Sequence, residues 1–119
     1  MDTHQIFIIE DYSEVTLRNL TLTNAKTYDD DHRGACINLN SHSSLYMESI
    51  DLRDSYSDRT RGGGCFYAGE DSVVTMDDVG FYNCEHAKFG GGMYLSSAQA
   101  TITNLRFVGI IASFSGLAI

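Results

Sequence analysis

The amino-acid sequence predicts an all-β chain: a single-stranded parallel β-helix, a solenoid of about four coils of 24–30 residues with three short strands in each. Three observations carry this expectation. The sequence repeats at a nearly constant interval. Within each repeat, apolar and polar residues alternate with the period of a half-buried strand. And there is no proline in 119 residues, which suits a chain made mostly of strand, because proline removes a ladder donor and is kept out of central strands.

The alternating stretches are the firmest part of the repeat. VTLRNLTLTN (Val15 to Asn24), LYMESIDLRD (Leu45 to Asp54), VTMDDVGFYN (Val74 to Asn83) and ATITNLRFVG (Ala100 to Gly109) align without a gap. Apolar side chains fill the first, third, sixth and eighth places: Val15, Leu17, Leu20, Leu22 in the first copy and Leu45, Met47, Ile50, Leu52 in the second. Val74, Met76, Val79, Phe81 and then Ala100, Ile102, Leu105, Phe107 follow. Two period-2 runs are thus separated by a phase break at Asn19, Ser49, Asp78 and Asn104, turn-forming residues that predict a corner. Val15, Leu45, Val74 and Ala100 are expected to stack in one inward ladder.

The third strand of each coil follows a glycine or small-residue pair. Gly34-Ala35, Gly63-Gly64, Gly91-Gly92 and Ser115-Gly116 precede Cys36, Cys65, Met93 and Leu117, and Ile6 opens a partial fifth copy. Glycine permits backbone conformations and close approaches that other residues resist, so each pair is expected to restart the same turn. This strand is apolar on both faces. We place the Cys36, Cys65, Met93 face inward, next to the glycines, which leaves Phe7, Ile37, Phe66 and Tyr94 as an outward stripe and a candidate interface.

These glycine-led strands, followed by a Thr/Ser-rich strand and an F-x-N turn (Phe81-Tyr82-Asn83), resemble the repeats of chlamydial polymorphic outer-membrane proteins. They also resemble the broader family of right-handed parallel β-helix surface proteins. The resemblance implies a right-handed β-helix displayed at a cell surface. The sequence departs from the GGA and F-x-x-N forms of that family at Cys65 and Met93 and in its shorter turn.

Length and composition, with 43% apolar residues, fit a single β-helix segment, residues 1–119, expected to be part of a longer solenoid or a subunit that stacks on its copies. The net charge of −8, with eight scattered Lys and Arg, excludes nucleic acid as a partner. No apolar run is long enough to span a membrane, and no export signal stands in the chain, so an extracellular or cell-surface location would need a signal elsewhere. Cys36, Cys65 and Cys84 lack C-x-x-C spacing. Cys36 and Cys65 share a column and are expected to form a buried thiol ladder, with Cys84 in a small-residue slot. His4, His32, His42 and His86 read as surface residues.

Candidate sites are few. Asp29, Asp30 and Asp31 form the one dense carboxylate cluster and are the place where calcium would bind, in the longest pre-glycine loop; no other cofactor is expected. Asn19-Leu20-Thr21 is the only glycosylation sequon. Asp77-Asp78 is the only adjacent acid pair on a strand edge, with Glu48-Ser49 and Arg18-Asn19 in the neighbouring coils, and no stacked carboxylate pair has the adjacent His that polysaccharide cleavage would favour. The sequence therefore predicts a non-catalytic structural or adhesive extracellular protein, a surface stalk or fibre protomer. Its expected partners are its own copies or flanking coils, with surface glycans or a host surface as further candidates. The alternative is a carbohydrate-active enzyme: a polysaccharide lyase or hydrolase, or a tail-spike-like depolymerase.

Overall fold

The structure, a computed structural model, describes residues 5–27, 34–40, 42–57, 63–69, 71–86 and 91–112. They form β1 (Phe7–Ile9), β2 (Glu14–Thr23), β3 (Lys26–Thr27), β4 (Ile37–Leu39), β5 (Ser44–Ser57), β6 (Phe66–Ala68), β7 (Val73–His86), β8 (Met93–Leu95), β9 (Gln99–Val108) and β10 (Ile111–Ala112). The short strands β1, β4, β6 and β8 make a four-stranded sheet in that order. The long strands β2, β5, β7 and β9, with the brief continuations β3 and β10, make a six-stranded one. Every pairing is parallel.

The expected β-helix with three separate short strands per coil is thereby corrected: the chain forms two parallel sheets, and each repeat adds one short strand to the first and one long strand to the second. The physical reason lies at the predicted corner. Asn19, Ser49, Asp78 and Asn104 all take left-handed backbone, with φ of 54°, 53°, 58° and 55°. The ladder omits only that residue, running Arg18↔Glu48 and then Leu20↔Ile50. One left-handed residue kinks the strand without ending it. A second kink falls at Asn24, Asp54, Asn83 and Gly109 (φ 61°, 52°, 53° and 65°). It separates β3 from β2 and β10 from β9, while β5 and β7 run straight through.

The long-strand register is the one the alternation predicts. Val15 pairs with Leu45, Leu45 with Val74 and Val74 with Ala100. Leu45, Met47, Ile50, Leu52, Val74, Met76, Val79 and Phe81 are all buried between the sheets, and the Phe81 and Phe107 rings meet at 5.0 Å. Burial of each such side chain contributes about 1.5–3 kcal/mol. The flanking copies are less enclosed: Ala100 is exposed and Val15 half-buried.

In the short-strand sheet the inward choice is reversed. Ile37, Phe66 and Met93 pair in one column with Phe7. Ile37 and Phe66 are completely buried in the core, so they form no exposed stripe. Tyr94 belongs to the other column, with Ile8, Asn38 and Tyr67. The sequence columns misplace copy four by one residue, because Gly92, not Met93, stands beside Cys65, whose N–H it accepts. Cys36 and Cys65 are nevertheless also inward, since the chain bends between them and the strands that follow. The preceding glycines allow that bend. Gly34 has φ +69°, and a Cβ there would collide with the backbone of Ile37 and Tyr67; one at Gly64 would strike the Gly91 carbonyl oxygen.

Cys65 is bonded to Cys84 of β7, with a Cα separation of 5.6 Å, and Cys36 alone remains a free thiol. The expected thiol ladder of Cys36 and Cys65, with Cys84 an unbonded small residue, is corrected accordingly. Cysteines one above the other on adjacent parallel strands point side by side, whereas Cys65 and Cys84 face each other across the two sheets within a single repeat.

Candidate functional site

The surface that the fold presents most regularly is the outer face of the six-stranded sheet, where side chains alternate with the core positions. The register stacks Arg18, Glu48, Asp77 and Thr103 in one row, Thr21, Asp51, Gly80 and Arg106 in another, and Thr23, Arg53, Tyr82 and Val108 in a third. Charges in these rows are largely engaged with one another. Arg18 Nε donates to Glu48 Oε2 at 3.0 Å. Arg106 donates from Nη1 to Asp78 Oδ1 (2.6 Å) and from Nε to the Tyr82 hydroxyl (3.0 Å), with Asp51 at 3.9 Å. The Arg106 hydrogen bond is the main reason that the Asp78 carboxyl is held below its ordinary 3.8. Arg53 lies over the Tyr82 ring, 4.8 Å from its centre. Tyr82 in turn lies back across Gly80, where a Cβ would collide with the ring.

Two shallow depressions of about 370 Å³ each lie at the start of the long strands. The first is lined by the hydroxyl side chains Thr16, Ser44, Tyr46 and Thr75, the carboxylate Glu14, and three aliphatic residues of the same strands. The second lies between Asp71, Ser72, Val73, Ser97, Ala98 and Gln99. The turn before these strands carries a column of left-handed residues, Tyr12, His42, Asp71 and Ser97. Tyr12 stacks on His42 at 5.1 Å, and His42 Nδ1 lies 3.4 Å from Asp71 Oδ2. Beneath them the buried Ser43 accepts the Ser13 N–H through its hydroxyl at 3.1 Å, and the buried Ser72 hydroxyl donates to the Gly69 carbonyl.

The residues singled out from sequence are dispersed. Asp29, Asp30 and Asp31 lie outside the described residues, and among the described residues no group of three or more His, Cys, Asp or Glu is placed to hold a metal. Asn19 stands exposed at the first kink. Asp77 pairs in register with Glu48, while its neighbour Asp78 sits at the kink and accepts from Ser49 at 3.3 Å and from Arg106. His4 and His32 lie outside the described residues. His86, expected at the surface, is fully buried at the end of β7, where it continues the inward alternation begun by Cys84. Sequence reasoning missed the Tyr12–His42–Asp71 column. Its signal was available, since each of these residues precedes an alternating stretch by the same short interval.

No protein-family description, curated protein or solved structure matches the chain. Among the described residues no helix is long and apolar enough to cross a membrane.

Proposed function

We propose that this chain is a non-catalytic structural or adhesive module that works outside the cell, presenting the outer face of its long-strand sheet to surface glycans or to a host surface. The observation that carries the location is the Cys65–Cys84 bond, since disulfides persist in oxidising compartments. The non-catalytic reading is supported by the state of the carboxylates. Asp78 is engaged by Arg106, Glu48 by Arg18, and the groove beside Tyr46 has a single carboxylate, Glu14. Glycosidic cleavage commonly uses two carboxyls, one of which must act as an acid.

One observation favours the carbohydrate-active alternative: Glu48 and Asp77 are ladder neighbours on an open face. Incubating the oxidised protein with acidic and neutral polysaccharides separates the readings. Binding without chain shortening or unsaturated product is expected, and Asp77→Asn with Asp78→Asn should leave product formation at zero. Cleavage that these substitutions abolish would overturn the proposal.

A further inference from the structure

The two ends of the long-strand sheet match each other. β2 and β9 are both ten residues long, and each kinks at its sixth residue, an asparagine, Asn19 in one and Asn104 in the other. Among the described residues neither has a strand on its outer side. The apolar columns are incompletely covered there. Leu20 is 41% exposed at one end, and Ile102, Leu105 and Phe107 are half-buried at the other.

The backbone is complementary as well. Gln99 donates its N–H inward to Ser72, so alternation turns the amide groups of Ala98, Ala100 and Ile102 outward. At the opposite end Ser13 accepts from Ser44 of β5, so Glu14 and Thr16 point their amides away from β5. Between existing layers the residue corresponding to Glu14 donates to the residue corresponding to Ala98: Ser44 to Ser13, and Val73 to Ser43.

We infer that β9 of one molecule pairs with β2 of a second copy of this chain, in parallel and in the register of the internal ladders. Ala100 then stacks on Val15, Ile102 on Leu17, Leu105 on Leu20 and Phe107 on Leu22, each an apolar pair. Asn104 stacks on Asn19, and the outward row sets Thr101 on Thr16 and Thr103 on Arg18, with no like charges opposed. The joint is head-to-tail and uses two different surfaces, so repetition gives an open filament instead of a closed dimer. Exposed parallel edges of this kind are templates for further strands. The inference deepens the structural reading given above and rests on it. A chain that adheres to glycans as a monomer would overturn the assembly alone. A filament that cleaves polysaccharide would overturn the non-catalytic reading alone.

Sedimentation and negative-stain microscopy of the oxidised full chain test the joint. The unsubstituted protein is expected to form species heavier than monomer as concentration rises, seen as thin filaments. Ala100→Pro removes an outward donor on β9, and Thr16→Pro removes one on β2; neither N–H serves an internal ladder. Each variant alone should remain monomeric with unchanged β-type circular dichroism, and the two mixed should give a one-to-one dimer through their intact edges. Should either proline variant lose its circular dichroism, Thr16→Lys with Thr101→Lys sets like charges against each other across the same joint and should likewise leave monomers. A wild-type protein that stays monomeric, a mixture that fails to dimerise while both variants are folded, or assembly that ignores the paired lysines would overturn the inference.

Discussion

Cys36 and Ser55 face each other across the sheets with Sγ and Oγ 3.2 Å apart, and they are separated by 19 residues, as are Cys65 and Cys84 in the next copy. The repeat therefore holds a cross-sheet disulfide in one layer and a thiol–hydroxyl contact at the matching place in the layer before. Burial pushes the Cys36 thiol up to about 12, against a smaller opposing effect of the Ser55 hydroxyl. Cys36 should resist alkylation in the folded protein and react once the chain is denatured. Ser55→Cys should let it oxidise, leaving no free thiol after denaturation where the natural sequence leaves one; a thiol count that stayed above zero would show that the two layers differ in geometry. Asp78 offers a second test. Its folded value lies below 3.8 because of Arg106, so the pair contributes stability above that pH and loses it as pH falls through the depressed value. An NMR titration should place the Asp78 midpoint below 3.8 and return it towards 3.8 in Arg106→Gln. An unchanged midpoint would remove the ion pair from the account.

A strand with a kink was only half legible in the sequence. The alternation of Val15, Leu17, Leu20 and Leu22 announces the phase break, and copies of it fix the register, because a one-residue slip would turn every core side chain to water. What alternation does not report is whether the backbone leaves the sheet at the break. A single left-handed residue restores the hydrogen-bonding direction, and polar Asn, Ser and Asp tolerate that conformation. The second kink at Asn24, Asp54, Asn83 and Gly109 was read as the end of a stretch, since the residues after it follow no shared apolar pattern. The short strands misled for a different reason. Both of their faces are apolar, so period two carries no information on which is inward, and the glycine pairs appeared to set a register that the fourth copy shifts by one residue. Asn104→Val places a β-branched residue at φ 55° and should cost about 1–2 kcal/mol in chemical denaturation, whereas Asn104→Gly should cost little or nothing. Equal losses would mean that the asparagine side chain, and not its backbone, is what the position requires.

Two stacks of parallel strands share one core, and the molecule depends on each repeat placing its short strand opposite its own long strand. Phe66 lies at the centre of that core, fully buried beside Ile37 and Met93. Phe66→Ser should therefore unfold the chain or destabilise it by at least the roughly 3–5 kcal/mol of a buried Phe truncation, seen as loss of β-type circular dichroism or a large fall in denaturation midpoint. A folded variant with altered association would restore the outward stripe. The same layer-by-layer arrangement sets the outer rows of Arg18, Glu48 and Asp77 and the Tyr12–His42 turn, so the proposed presenting surface stands or falls with it. The most direct test is disulfide mapping by mass spectrometry on the oxidised, non-reduced protein. Opposition of the sheets within one repeat predicts a single linked pair, Cys65 with Cys84, and Cys36 recovered as a free thiol that is labelled only after unfolding. A Cys36–Cys65 or Cys36–Cys84 link would contradict it, because either would join different layers.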